Sequence, residues 1–408
     1  MTTATSPPPR SQETSAGVVP ERPYVGLVPF DEQDAAYFFG RERESDLIVA
    51  NLTASRLTLL YAPSGVGKSS VLRAGVLPRL HDLDDDSSDY EDLGVLGPAV
   101  AYVSAWRDAP LETIAAAVSD AVSRVRDAGA VEQGADVPKL SVSWLRELLR
   151  QSKVPAIYLI LDQFEEYFFY HPMDRGEQGL TPELGRILSA RDLPVHVLLS
   201  IREDALAGLD RFKGQVPHLF DNYLRLAHLS REAAQTAIEG PLHRYNRLAP
   251  PDHTMSIEPE LIETLLDQVR TGHVQVAPQG TAPDRFASHT RTSECRGDIE
   301  APYLQLVLTR LWEEERASGS SSLRQSTLHR LGGAQTIVQT HLDNVMASLS
   351  PAQVNVAAAV FQHLITRSGT KIALATEDLA ELTKQPVDAV QDLLETLCSG
   401  PRRIRVSR

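Results

Sequence analysis

The stretch from Leu57 to Leu77 constrains this chain more than any other. Leu57-Thr58-Leu59-Leu60-Tyr61 is a short β-rich run. Ala62-Pro63-Ser64-Gly65-Val66-Gly67-Lys68-Ser69-Ser70 follows, and a helical pattern continues through Val71, Leu72, Ala74, Gly75 and Leu77. A strand, a glycine-bearing loop ending in Gly-Lys-Ser, and a helix make the unit that cradles a nucleotide's phosphates. Gly65 and Gly67 let backbone N–H groups turn inward, and the helix beginning near Lys68 adds its positive dipole end. Lys68 is expected to reach the β- and γ-phosphates, and the Ser69 hydroxyl to ligate Mg²⁺. The loop fits G-x-x-x-x-G-K-[ST] at every position but the first, where Ala62 replaces glycine; alanine serves there if its φ stays negative.

Further apolar runs repeat the strand signal. Ala99–Ser104 precedes a helical stretch from about Leu111 to Val125, Ala156–Leu161 ends on Asp162, Val195–Ile201 ends on Arg202, and Asn222–Leu226 is a shorter fifth candidate. Continuous apolar runs alternating with helices predict an α/β architecture, a parallel sheet covered by helices on both faces. Asp162, carried at the C-terminal end of a buried strand, is placed to hold the Mg²⁺ water shell opposite Ser69, the Walker B arrangement. Glu165 and Glu166 are both candidates for polarising an attacking water. Spacing does not choose between them, and the alternative is two solvated first-turn residues favoured by a helix dipole. Arg202 is a candidate for sensing the γ-phosphate, its alternative being a salt bridge with Glu203, Asp204 or another neighbouring acid.

Past about Leu229 the strand signals stop. Helical periodicity runs through Arg231–Tyr245, Pro259–Arg270, Pro302–Glu315 and Ala334–Leu349, interrupted by a polar loop, Thr271–Arg296. Three short helices are expected after Ser350, with Arg367-Ser368-Gly369-Thr370-Lys371 between the first and second, compatible with a winged-helix-like domain. A chain of 408 residues exceeds what one core usually serves. The expected division is a disordered leader (1–23), a P-loop nucleotide-binding domain (24–229), an all-α lid (230–349) and the winged-helix-like domain (350–408).

Composition removes several function classes. The net charge of −14 works against a polyanionic partner such as DNA unless a local basic patch exists. Two cysteines, Cys295 and Cys398, make no disulfide framework, and the apolar runs fall far short of the ~20 residues that span a bilayer. The leader lacks a signal peptide's basic start and apolar block, so a cytoplasmic location is expected. The acidic tract His81–Asp92 reads as a solvated loop rather than a metal site, because like charges repel and stay extended. The histidines offer no helical H-x-x-x-H pair, the tryptophans read as packing residues, and no G-x-S-x-G elbow is present.

Several motifs in order carry a family likeness. Pro23-Tyr24-Val25-Gly26-Leu27-Val28-Pro29-Phe30 and Tyr37-Phe38-Phe39-Gly40-Arg41-Glu42 precede the P-loop. Arg73–Pro78, Leu161–Glu166, Glu300–Val307, Leu331–Gln335 and Ser368–Ile372 follow it. Together they resemble the bacterial novel STAND NTPases, signal transduction ATPases with numerous domains. The resemblance implies ATP/ADP and Mg²⁺ as ligands, with Phe39, Gly40 and Arg41 on the adenine side and Pro241 of the lid closing over the base. It also implies a switch that holds ADP when closed, exchanges it for ATP, hydrolyses ATP slowly, homo-oligomerises, and works with separate effector or sensor proteins. The leader is short for an effector and the chain ends where relatives continue, so a fragment or a minimal regulator is expected. Two alternatives stand beside this: an ATP-tuned DNA-binding regulator, favoured by Arg402, Arg403, Arg405 and Arg408 but offset by nearby acids, and a scaffold that binds ATP without hydrolysing it.

Overall fold

The computed structural model describes residues 22–85, 97–125, 138–173, 179–216, 218–270, 298–364 and 374–399. The five apolar runs form β1 (Leu57–Ala62), β2 (Ala99–Val103), β3 (Ile157–Leu161), β4 (Val195–Arg202) and β5 (Tyr223–Arg225). They make one parallel sheet in the order β2-β3-β4-β1-β5. β4 therefore lies between the strand that ends in the glycine loop and the strand that ends in Asp162. Its register sets Arg202 directly beside Ala62 and Leu199 beside Leu161.

Alternate side chains of each strand enter different cores, as the two-residue period of a strand requires. Leu60, Ile160 and Leu198 pack with α1 (Glu42–Ala54) and with the helical run α2 (Lys68–Ser70), a π-turn (Val71–Val76) and α3 (Leu77–Asp85). Leu59, Leu159, Val197 and Leu199 pack on the opposite face with α4 (Pro110–Val125), α5 (Val142–Ser152), α6 (Glu165–Tyr170) and α7 (Leu180–Ser189). Burial on both faces explains why the strands read as unbroken apolar runs.

A third core unites α8 (Arg231–Leu248), α9 (Pro259–Gln268), α10 (Ala301–Ala317), α11 (Gln325–Arg330) and α12 (Gly333–Met346). The expected all-α character needs correction: β6 (Ser256–Ile257) and β7 (Ser322–Leu323) form a small parallel pair within this part. Two residues per strand are too short for any periodicity to register in sequence. Tyr24 also belongs to this core. Its hydroxyl donates to the Ile238 carbonyl at 2.9 Å, and its ring meets Trp312 edge-on, so the segment before the sheet is strapped to the helical part.

A fourth core gathers α13 (Pro351–Leu364), α14 (Thr376–Thr383) and α15 (Val387–Ser399) with Val345 and Leu349. These are the three helices expected after Ser350. Arg367–Lys371, the leader up to residue 21, most of the acidic tract, the Thr271–Arg296 loop and the arginine-bearing tail lie outside the described residues. Among the described residues no helix is long and apolar enough to cross a membrane.

Candidate nucleotide-binding site

Ala62 closes β1 as a fully buried strand residue. Its backbone is extended, so no glycine is needed there. Pro63 and Ser64 lead into the turn, where Gly65 (φ 85°) and Gly67 (φ 101°) take the left-handed conformation that other residues resist. Val66 lies between them with its side chain buried. Helix begins at Lys68, and the Val71 amide closes its first turn on the Gly67 carbonyl at 2.9 Å. Lys68 and Ser69 are both buried. Lys68 Nζ lies 3.4 Å from the Ala62 carbonyl. Burial pushes the lysine pKa down, while Glu165 and Asp162 hold its charge in place.

Asp162 is fully buried at the tip of β3. Its Oδ2 accepts from the Tyr102 hydroxyl at 2.8 Å, and the Trp106 indole N–H holds its carbonyl at 2.7 Å. Its Oδ1 has no hydrogen-bond partner. A buried, unsatisfied carboxylate oxygen is costly unless something donates to it or coordinates it. Together with the Ser69 hydroxyl it is the hard-oxygen chemistry that Mg²⁺ accepts, so these residues fit that ion.

The two glutamates that spacing could not separate differ sharply in surroundings. Glu165 Oε2 accepts the Arg202 amide at 3.1 Å. Burial raises its pKa and Lys68 opposes that rise. Glu166 has no such counter-charge: burial, then Glu165 and Asp162, push its pKa up to about 8. Neither is a simply solvated first-turn residue. Arg202 adopts its sequence-level alternative, with Nε and Nη2 forked onto Asp204, at 3.0 Å from Nε to Oδ1.

A narrow cavity, open at its mouth, adjoins the loop. Its walls include Leu27, Phe30, Phe39, Gly67, Ser70 and Pro302. The mostly apolar lining suits a planar base whose phosphates rest in the loop. Ser70 is tied down, its Oγ accepting the Phe30 amide at 3.2 Å. Arg41 lines the cavity, with Nη2 donating to the Ala227 carbonyl (2.8 Å) and the Val66 carbonyl (3.4 Å) and Nη1 to Glu44 (2.7 Å). It braces the loop rather than offering a free cation.

Two residues expected at the base stand elsewhere. Gly40 is not on the cavity wall. It has φ 84° and lies so close to α8 that a Cβ would sit 2.2 Å from the Ala233 carbonyl oxygen, so its role is close packing. Pro241 is buried within α8, and the lid residues that reach the wall are Ala237, one turn earlier, and Ala301, Pro302 and Gln305 of α10. The influence of Pro241 is indirect, because proline has no N–H to give the Ala237 carbonyl.

Sequence reading missed Tyr102, Trp106, Pro302 and Gln305. Tyr102 carries a faint signal, a polar-tipped aromatic within an otherwise aliphatic strand. Pro302 and Gln305 fall within the Glu300–Val307 motif, but nothing in that stretch places them at the cavity, and the contact of Trp106 with Asp162 spans 56 residues.

With this geometry in view, comparison with known proteins is direct. Residues 23–407 match the family described as Novel STAND NTPase 1. No curated protein matches the chain. Among solved structures it is similar to the ADP form of the ORC2 protein of Aeropyrum pernix, at 15% identity and a TM-score of 0.43, with 88% of this chain and 84% of that one covered. The Aeropyrum pernix ORC1 protein in complex with DNA gives 18% and 0.42, with 88% and 83% covered. The Walker-type ATPase of Pyrococcus abyssi gives 15% and 0.43, with 90% and 93% covered. The family match takes in the glycine loop, the acid-tipped third strand, the helical part and the C-terminal helices, and the chain belongs to the Novel STAND NTPase 1 family.

Proposed function

We propose that this protein is a slow ATP-driven switch, closed around ADP and rearranged by ATP into an assembling form. The expected division at 24–229, 230–349 and 350–408 supplies its moving parts. The observation that carries the reading is helix α6. Its first residues, Glu165 and Glu166, stand at the phosphate end of the site. At its last residue the Tyr170 hydroxyl accepts the Ala375 amide at 3.1 Å, just before α14. Arg107, next to the Trp106 that holds Asp162, pairs with Glu377 and Asp378 of α14. The acids at the phosphate loop and the C-terminal helices are thus linked through α6 and Arg107, the path along which a switch would act.

The chemistry follows from the same residues. Lys68 and the loop amides grip the phosphates. Mg²⁺, held by Ser69 and Asp162, supplies charge neutralisation when bound. Glu165 is the proposed base: Lys68 favours its ionised form, whereas Glu166 stays protonated near neutral pH and is a poor acceptor. Arg202 must leave Asp204 to meet a γ-phosphate. Asp204 is exposed, so solvent takes over its carboxylate when the arginine leaves, and a third phosphate supplies a charge to meet Arg202 that ADP lacks.

One experiment tests the reading: identify the nucleotide that co-purifies, then compare particle mass with ADP and with a non-hydrolysable ATP analogue. ADP at purification and growth in mass with the analogue alone are expected. Equal masses would remove assembly from the proposal, and growth with ADP would reverse it. Nucleotide binding without turnover would leave the non-hydrolysing scaffold as the better description.

A further inference from the structure

We infer that Gln305 fixes the base of the bound nucleotide through its exocyclic amino group, which makes adenine the preferred base. The inference rests on the nucleotide-binding reading and extends it to base choice.

Three contacts of α10 locate the residue. Pro302, in its first turn, comes within 3.9 Å of where a Gly65 Cβ would stand, so the helix starts over the phosphate loop. Thr309 comes within 3.4 Å of the equivalent point on Gly26, so the helix continues along the N-terminal strap. Gln305 lies between them, three residues after one and four before the other, on the same helical face. It lines the cavity enclosed by loop, strap and helix.

The hydrogen-bonding inventory of that cavity is short. Ser70 accepts the Phe30 amide and Arg41 is committed to two carbonyls and Glu44. The Tyr37 hydroxyl is unpartnered, but its electrostatic neighbours are Arg244 and Tyr245 of α8. Gln305 Oε1 is buried with no donor. A buried amide oxygen without a donor is destabilising, and an apolar cavity provides no substitute. A ligand that brings an N–H to this oxygen removes that cost. Adenine's exocyclic amino group is a donor that Oε1 can accept as it stands; guanine's carbonyl oxygen would require the amide to turn its NH2 inward instead.

The test is a cycle of residue against functional group, using full-length protein and diphosphates so that no turnover intervenes. Dissociation constants are measured by calorimetry for ADP and for purine riboside 5′-diphosphate, which lacks the amino group. Wild type should bind ADP about tenfold more tightly than the purine analogue, as one neutral hydrogen bond allows. Gln305→Leu, close to glutamine in size, should bind both with nearly the same constant, at an unchanged melting temperature. If wild type fails to distinguish the two, or the leucine variant keeps the full preference, the assignment to Gln305 is wrong while nucleotide binding stands. If wild type binds neither, the nucleotide reading falls and this inference with it. Should leucine lower the melting temperature, Gln305→Glu, which retains the acceptor, gives the second measurement: retained preference for ADP supports the assignment and its loss overturns it.

Discussion

At the residue scale, one acid and one base occupy states that their sequence neighbours do not reveal. Glu166 has its pKa raised from 4.5 to about 8 by burial and by two adjacent carboxylates. Between those values the folded protein keeps a proton that the unfolded chain has released. Stability contributed by this site is therefore full below about pH 4.5 and declines as pH rises toward 8. Glu166→Gln, measured without nucleotide or magnesium, should show a melting temperature that falls less than wild type between pH 6 and about 8. A parallel fall in both proteins would place the titrating group elsewhere. Arg202 gives the second residue-scale prediction. Arg202→Ala should slow single-turnover hydrolysis by about 10²-fold, in the range of a lost transition-state donor, and leave ADP affinity within about threefold. A large loss of ADP affinity would mean that the arginine holds the loop rather than the third phosphate.

At the element scale, α6 matters more than its length suggests. It has six residues and little helix stability of its own. Phe164 and Tyr167 fasten it to Trp106 in an aromatic cluster with centroid spacings of 5.0–6.0 Å. The same indole holds Asp162, so displacement of the acid tip and displacement of α6 are coupled through packing. Tyr170→Phe removes the acceptor for the Ala375 amide while keeping the ring. Hydrogen exchange should then accelerate in α14, by about 5–10-fold for the loss of one hydrogen bond, and remain unchanged in the sheet. Exchange that is unaltered in α14 would show that the Arg107 pairs alone secure the contact. At this scale the sequence was informative where periodicity is long. The five strands and the four longer helices between Arg231 and Leu349 follow the apolar pattern within a few residues, whereas the six-residue α11 was not foreseen. β6 and β7 escaped notice because a pair of two-residue strands has no period, and the place of α6 as a link depends on Trp106, 56 positions before the carbonyl it binds.

At the scale of the whole molecule, the nucleotide cavity belongs to no single part. The glycine loop comes from the sheet, Ala237 and Pro302 from the helical part, and Leu27 and Phe30 from the strap. A ligand in this cavity bridges three pieces of chain and should stabilise them together. At a concentration 100 times its dissociation constant it would add about 2.7 kcal/mol to wild type. Lys68→Ala should abolish both this thermal stabilisation and the growth in mass with an ATP analogue, as followed by melting and by light scattering. Retention of either would show that the loop lysine is not the grip on the phosphates.

What the sequence determined alone was local: a strand, a loop and a helix adjacent in the chain; an acid at a strand end; an arginine at the next. Each needs only short-range conformation to be recognised, so Gly65, Gly67, Lys68, Ser69, Asp162 and Arg202 were legible as candidates for a nucleotide site. The different surroundings of Glu165 and Glu166, the pairing of Arg202 with Asp204, and the walls of the cavity were decided only by the tertiary structure. A side chain's charge state and free valence depend on what the fold packs against it. That residues such as Gln305 and Gly65, separated by 240 positions, line one cavity cannot be read from either stretch of chain.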